Sequence, residues 1–260
     1  MIELGLFLAG IVAGILGALL GLGGGIFLVP ALTLLFHLPM RVAVGTSLMG
    51  VIATSAGVAA VVRRGRGADV GLALRLEATT AAGAIAGGWF GGFVSSGMLS
   101  MCYGCVTFVT AGFLIRRSKK LEALNVKERL FGQPYQIRHW PFGLSVAGGA
   151  GVVSGLLGVG GGFIKVPVMY AVMGVPLGVA TATSNFMVGI TAAASVFVYY
   201  GRGDLYPLIV VPTVVGVFLG AMIGVYILPR LRVAWVRMAL CGLLFLIGVQ
   251  MLVQGFRHWF

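Results

Sequence analysis

"ALLGLGGGIFLVP" at residues 18–30 and "GLLGVGGGFIKVP" at residues 155–167 are two versions of one glycine-rich phrase inside an apolar chain. A shift of 137 residues lays the first on the second and stays in register beyond it, with "PMRVAVGTSLM" (39–49) falling on "PLGVATATSNF" (176–186). Glycine triplets, prolines and Thr-Ser pairs matching in one frame point to an internal duplication. Further on, "GRG" at 65–67 recurs at 201–203, and "GAIAGGWFGG" (83–92) resembles "GVFLGAMIGV" (216–225).

Of the 260 residues, 59% are hydrophobic and only 9% charged, far outside the balance of a soluble domain. Apolar segments at 4–36, 41–62, 70–94 and 97–115 are followed by a second set at 142–173, 178–199, 204–228 and 232–254. Runs of this length cross a bilayer as helices, and lipid cannot satisfy an open sheet edge. Without the short alternating segments of a membrane barrel, the pattern predicts an all-α polytopic membrane protein. "MIELGLFLAGIVAGILGALL" carries Glu3 and continues into more apolar sequence, so it is read as structure rather than a cleaved leader.

Residues 1–115 form a first transmembrane repeat of about four apolar segments and 142–260 a second, joined by the basic stretch 116–141. The net charge of +12 collects in short polar stretches, as expected of cytoplasmic loops, so no nucleic-acid partner is expected. If each glycine-broken segment crosses the membrane, there are eight spans and parallel repeats. If each is a re-entrant hairpin, every half has an odd number of crossings and the repeats are inverted. Inversion leaves Arg41, Arg202 and Arg257 outside, whereas the parallel arrangement exposes Arg41, Arg230, Arg232 and Arg237. The difference narrowly favours inversion, and both arrangements put 116–141 in the cytoplasm.

Each glycine lowers helix stability by about 1 kcal/mol relative to alanine, so "GLGGG" should unwind. Discontinuous helices at matching positions of two repeats are a sequence pointer to a transporter's binding site. Freed N–H groups at Gly23, Gly24, Gly25, Gly160, Gly161 and Gly162, with the positive end of the helix that follows, suit an anion. Pro30 and Pro167 are read as helix-break positions that release carbonyls one turn earlier. Close helix packing is the competing use of such glycines. A Rossmann phosphate loop would need a parallel sheet, which nothing here supplies.

Lys165 stands where the first copy has Leu28. A lysine that deep either snorkels to the interface or serves as an anion-binding cation. Thr46, Ser47, Thr183, Ser184 and Asn185 open the next helices, where they can cap or hydrogen-bond substrate. Arg75 and Glu77 read as an interfacial pair or a gate. With no Walker motif, a proton or ion gradient is the default energy source, and Glu77, Asp69 and Asp204 are the carboxylates able to serve it. No cofactor, metal site or catalytic constellation is expected. Cys102 and Cys105 in "CYGC" fit helix packing or, in a rival reading, a sulfur relay.

These residues resemble the sulfite exporter TauE/SafE family, also called the toluene-sulfonate uptake permease family. The likeness rests on the duplicated glycine motif, on "VGTSL" and "TATSN", and on the basic join, and it covers essentially the whole chain. It implies a multi-pass protein of the bacterial inner membrane that moves sulfite, sulfonates or other small organic anions, often outward. Gly23 to Gly25, Gly160 to Gly162, Thr46, Ser47, Thr183 and Ser184 match the motif positions. The expectation is a secondary transporter in which two halves alternate access to a central anion site, with a passive anion channel as the alternative.

Overall fold

The computed structural model describes residues 2–20, 23–61, 68–124, 135–227 and 233–257, without the side chains of 20, 113–124, 177 and 233–237. Among them every regular element is a helix. Helix α1 (Ile2–Leu20) ends before the glycine triplet, where helix propensity drops, and α2 (Gly25–Leu35) begins at its last glycine. The second half repeats this pattern with α6 (Trp140–Leu157) and α7 (Gly162–Ala171). Gly158 stops α6 in the left-handed conformation, with φ 72°, and its N–H donates to the Ser154 carbonyl at 2.8 Å.

In each case the short helix folds back along the long one. A β-carbon on Gly5 would touch the Phe36 ring, and one on Gly17 would meet Gly24. In the second half Gly143 faces Met173 and Gly161 faces the Ala150 carbonyl. The first apolar segment of each half is therefore a helical hairpin and not a continuous rod. Pro30 and Pro167 stand inside α2 and α7, so the chain breaks at the glycines rather than at the prolines. After Pro30, which cannot close the ladder, residues Ala31–Leu35 are wound more widely than an α-helix.

Three long helices follow each hairpin. They are α3 (Met40–Val61), α4 (Val70–Gly91) and α5 (Ser96–Leu124), then α8 (Leu177–Gly201), α9 (Pro207–Ile227) and α10 (Val233–Arg257). Helix α5 runs nine residues past the apolar segment that ends at 115, through the good helix formers of "LEAL". Six helices among the described residues, α1, α3, α6, α8, α9 and α10, are long and apolar enough to cross a membrane. Helix α4 carries Arg75, Glu77, Thr79 and Thr80 within one stretch and is not among the six.

The packing exchanges partners between the halves. Helix α1 lies on α9 and α6 on α4; α3 packs on α9 and α8 on α4; α3 meets α8, and α5 meets α10. Glycines make the closest of these contacts. A β-carbon on Gly220 or Gly224 would run into the carbonyls of Ile11 or Ile15, and one on Gly83 or Gly87 into those of Gly148 or Val152. The 137-residue shift relates these contacts one to one, so Gly83 corresponds to Gly220. Matching 83–92 to 216–225 was thus one helical turn out of register, because glycines spaced four apart fit either frame. Both pairs run parallel, whereas α5 and α10 are antiparallel, with Gly104 against Leu252 and Gly255 against Met101. Arg63, Arg64, Arg66, Arg230 and Arg232 lie outside the described residues.

Candidate functional site

The two hairpin tips touch. A methyl group on Gly25 would collide with the Gly158 carbonyl oxygen and come within 2.9 Å of Ser47 Oγ. Ser47 donates to that same Gly158 carbonyl at 2.8 Å and lies 3.4 Å from the Gly25 carbonyl. Tyr103, from α5, donates to the Gly25 carbonyl at 3.1 Å, and Tyr199, from α8, donates to the Gly155 carbonyl at 2.9 Å. Unwinding exposes carbonyls that an apolar interior would penalise, and these hydroxyls satisfy them. Left-handed backbone at Gly23, Gly158, Gly160 and Gly161, with φ of 72°, 72°, 81° and 71°, makes glycine the fitting residue at each turn.

The sequence-derived site residues divide. Gly25 and Ser47 meet at the junction; Gly23 packs on Val188 and Val51, and Gly24 on Thr54. Thr46 and Ser184 are fully buried and their hydroxyls have no hydrogen-bond partner. Thr183 is drawn elsewhere, accepting the Asp69 N–H at 3.0 Å at the foot of α4. Asn185 contributes its carbonyl to Ser55 Oγ at 2.9 Å. Gly160 and Gly161 shape the turn into α7, and Gly162 opens that helix.

Lys165 does not snorkel. It is 3% exposed, and its Nζ donates to Thr191 Oγ1 at 2.7 Å. Thr191, on α8, lies 2.6 Å from Glu77 Oε1 and donates to it, with the Met187 carbonyl also within 2.9 Å. Glu77 is 5% exposed, and its Oε2 stands 3.7 Å from the Lys165 ammonium with no hydrogen bond of its own. The triad therefore ties α7, α8 and α4 together.

Glu77 is not paired with Arg75. Residues two apart on a helix do not share a face, and Arg75 instead lies over the Trp140 ring, 5.4 Å from its centroid. The two other candidate carboxylates, Asp204 and Asp69, are occupied structurally. Arg202 holds Asp204 Oδ2 from Nε at 2.8 Å and Nη2 at 2.6 Å. Asp69 caps α4 by accepting the Leu72 N–H at 2.9 Å, and Tyr135 donates to its other oxygen at 2.5 Å. Burial pushes the Asp69 carboxyl up, but the Tyr135 hydroxyl, the Leu72 and Gly71 N–H groups and the Arg75 charge outweigh it and hold the group below its ordinary range. Cys102 is half-buried, Cys105 is exposed, and both are free thiols.

Thr191 and the two tyrosines escaped the sequence reading. Thr191 carried a signal: the 137-residue shift lays it on Thr54, and each hydroxyl lies within hydrogen-bond reach of the carbonyl four residues earlier, Met187 and Gly50 respectively. Tyr103 and Tyr199 have no such duplicate, since their equivalents are Leu240 and Val62.

Compared with known proteins, the chain matches the family described as sulfite exporter TauE/SafE over residues 6–251. It is 28% identical to the probable membrane transporter protein YunE of Bacillus subtilis (strain 168), across 96% of this chain and 97% of that one. The probable membrane transporter protein YdhB of the same strain is 29% identical across 86% and 88%. No solved structure matches. With matches that span almost every apolar helix, the chain is a multi-pass membrane protein and belongs to the sulfite exporter TauE/SafE family of membrane transporters.

Proposed function

We propose that this protein is a secondary transporter of small organic or sulfur-containing anions, such as sulfite or sulfonates, in the bacterial inner membrane. The observation that carries the reading is the contact of the two glycine breaks at Gly25, Gly158 and Ser47, one from each half of a duplicated chain. The N-terminal ends of α2 and α7 and the buried Lys165 ammonium form a surrounding suited to negative charge. Gly23 to Gly25, Gly160 to Gly162, Lys165, Thr46, Ser47, Ser184 and Asn185 are the residues assigned to the substrate path. Thr183 sits at its edge, against Asp69.

We further infer that residues 1–115 and 142–260 are inverted repeats joined by 116–141. A hairpin returns to its starting side, and three crossings by α3, α4 and α5 then carry the chain to the other. The second half begins there and runs the opposite way, in keeping with the parallel contacts of α1 with α9 and α4 with α6. Alternating access follows if the two hairpin tips part on one face at a time.

Counterflow in proteoliposomes tests the reading. Labelled sulfite or methanesulfonate should exchange against unlabelled anion, and G25A, whose new methyl meets the Gly158 carbonyl, should abolish exchange. Conductance without counterflow would convert the transporter into a channel, and undiminished exchange by G25A would remove the junction from the transport path.

A further inference from the structure

The charge pattern of the core points to how transport is driven. The two positions at this level that the 137-residue shift relates differ in charge: Lys165, Thr191 and Glu77 come together at one, and their equivalents at the other are Leu28, Thr54 and Val214. Lys165 and Glu77 thus form a net-neutral ammonium–carboxylate pair in a place where net charge is costly. An anion drawn to Lys165 would leave the core with one negative charge too many, since Glu77 cannot withdraw to water from α4 at 5% exposure. Neutrality returns if Glu77 takes a proton.

We propose that Glu77 is a proton-binding site that loads when a substrate anion takes over the Lys165 ammonium, so that one proton travels with each monovalent anion. This rests on the anion-transport reading above. In the loading step a proton from the open aqueous side adds to the Glu77 carboxylate to give the carboxylic acid, while Lys165 remains an ammonium paired with the anion. On the far side the anion leaves, Lys165 returns to Glu77, and the proton is released there. Oε2 is the accepting atom, because Oε1 is engaged by Thr191 while Oε2 has no hydrogen bond. The opposite coupling, with a proton bound while no anion is present, would strand Lys165 as an unpaired buried cation.

The surroundings leave this role to Glu77. Helix α6, packed on α4, has no ionisable side chain, and α8 offers only Tyr199 and Tyr200, two turns beyond Thr191. Helix α7 supplies Lys165 and, near its end, Tyr170. On α4 itself Arg75 stacks on Trp140, and Asp69 with Tyr135 closes its N-terminus. Electroneutral symport of this kind responds to the pH gradient and not to membrane potential. It exports whenever the outward anion gradient exceeds the inward proton gradient.

The test uses proteoliposomes and labelled methanesulfonate, an anion that keeps its charge at all working pH values. With the potential clamped, an acid exterior should drive accumulation by the wild type, and an imposed potential at equal pH should not. E77Q should show reduced exchange and no accumulation above equilibrium, and E77D should restore part of it. Accumulation driven by potential, or retained in E77Q, overturns the proposal. Wild-type counterflow that ignores the pH gradient overturns the coupling alone, whereas no counterflow at all overturns the transport reading with it. E77Q leaves Lys165 unpaired, so infrared difference spectra of the wild type give a second reading. Adding methanesulfonate should raise the C=O stretch of a protonated carboxyl that E77D shifts; absence of that band overturns the proposal.

Discussion

The two sites that the 137-residue shift relates differ in charge, though the two halves share a scaffold. Each opens with a glycine-turned hairpin, packs its first helix on the other half's third long element through glycine, and carries a threonine that reaches back one turn, Thr54 or Thr191. The equivalents of Lys165 and Glu77 are apolar, Leu28 in the first half and Val214 in the second, whereas Thr191 bridges Lys165 of the second half and Glu77 of the first. The helical path recurs between the halves, and among the described residues the buried charged pair stands at one of the two related sites. A single charged pair thus stands at one of two otherwise similar sites, and on the proposed reading the substrate meets one cation rather than two.

Breaking that asymmetry at one partner should have the largest effect. K165A leaves the Glu77 carboxylate buried alone, which costs about 3–5 kcal/mol, so thermal unfolding in detergent should move down sharply and exchange should vanish. The double variant K165L/E77V, which copies Leu28 and Val214 at the related site, should recover most of that stability, since apolar replacement of a buried ion pair is often neutral or better. Its unfolding midpoint should lie near the wild type.

Sharper steric tests come next. G158A asks for a β-carbon at φ 72°, close against the Val44 carbonyl, and should destabilise by roughly 1–2 kcal/mol and slow exchange. Y103F removes the donor to the Gly25 carbonyl, a loss of about 1 kcal/mol, readable as a lowered midpoint with the fold intact.

The smallest effect is one of pH. Because the folded Asp69 carboxyl sits below its ordinary value, its stabilisation is fully present above the unfolded aspartate value near pH 4 and is lost as pH falls through the folded value. D69N, which can still cap α4, should flatten that acid limb of the stability profile and leave the neutral midpoint nearly unchanged.

Much of this is legible in the sequence. Apolar length, the 137-residue duplication and the lysine in only one copy all point to a two-part helical membrane protein with a charged centre. What stayed hidden is what helix geometry decides. A segment of the length of 4–36 can cross once or fold back, and contacts such as Gly5 with Phe36 and Gly17 with Gly24 distinguish the two. Glycines repeating every four residues left the α4 and α9 register ambiguous by one turn. Glu77 looked like a partner for its neighbour Arg75, yet a helix turns those side chains apart and brings Glu77 to a lysine far along the chain. Thr183 matched its motif position but was claimed by the α4 cap, a tertiary contact with no local mark.

The most direct test of the central claim is counterflow of labelled methanesulfonate by wild type and by K165L/E77V in matched proteoliposomes. The account predicts rapid exchange by the wild type and none by the double variant, despite its intact fold. Exchange at the wild-type rate by the apolar variant would contradict it, because transport would then need neither the cation nor its partner.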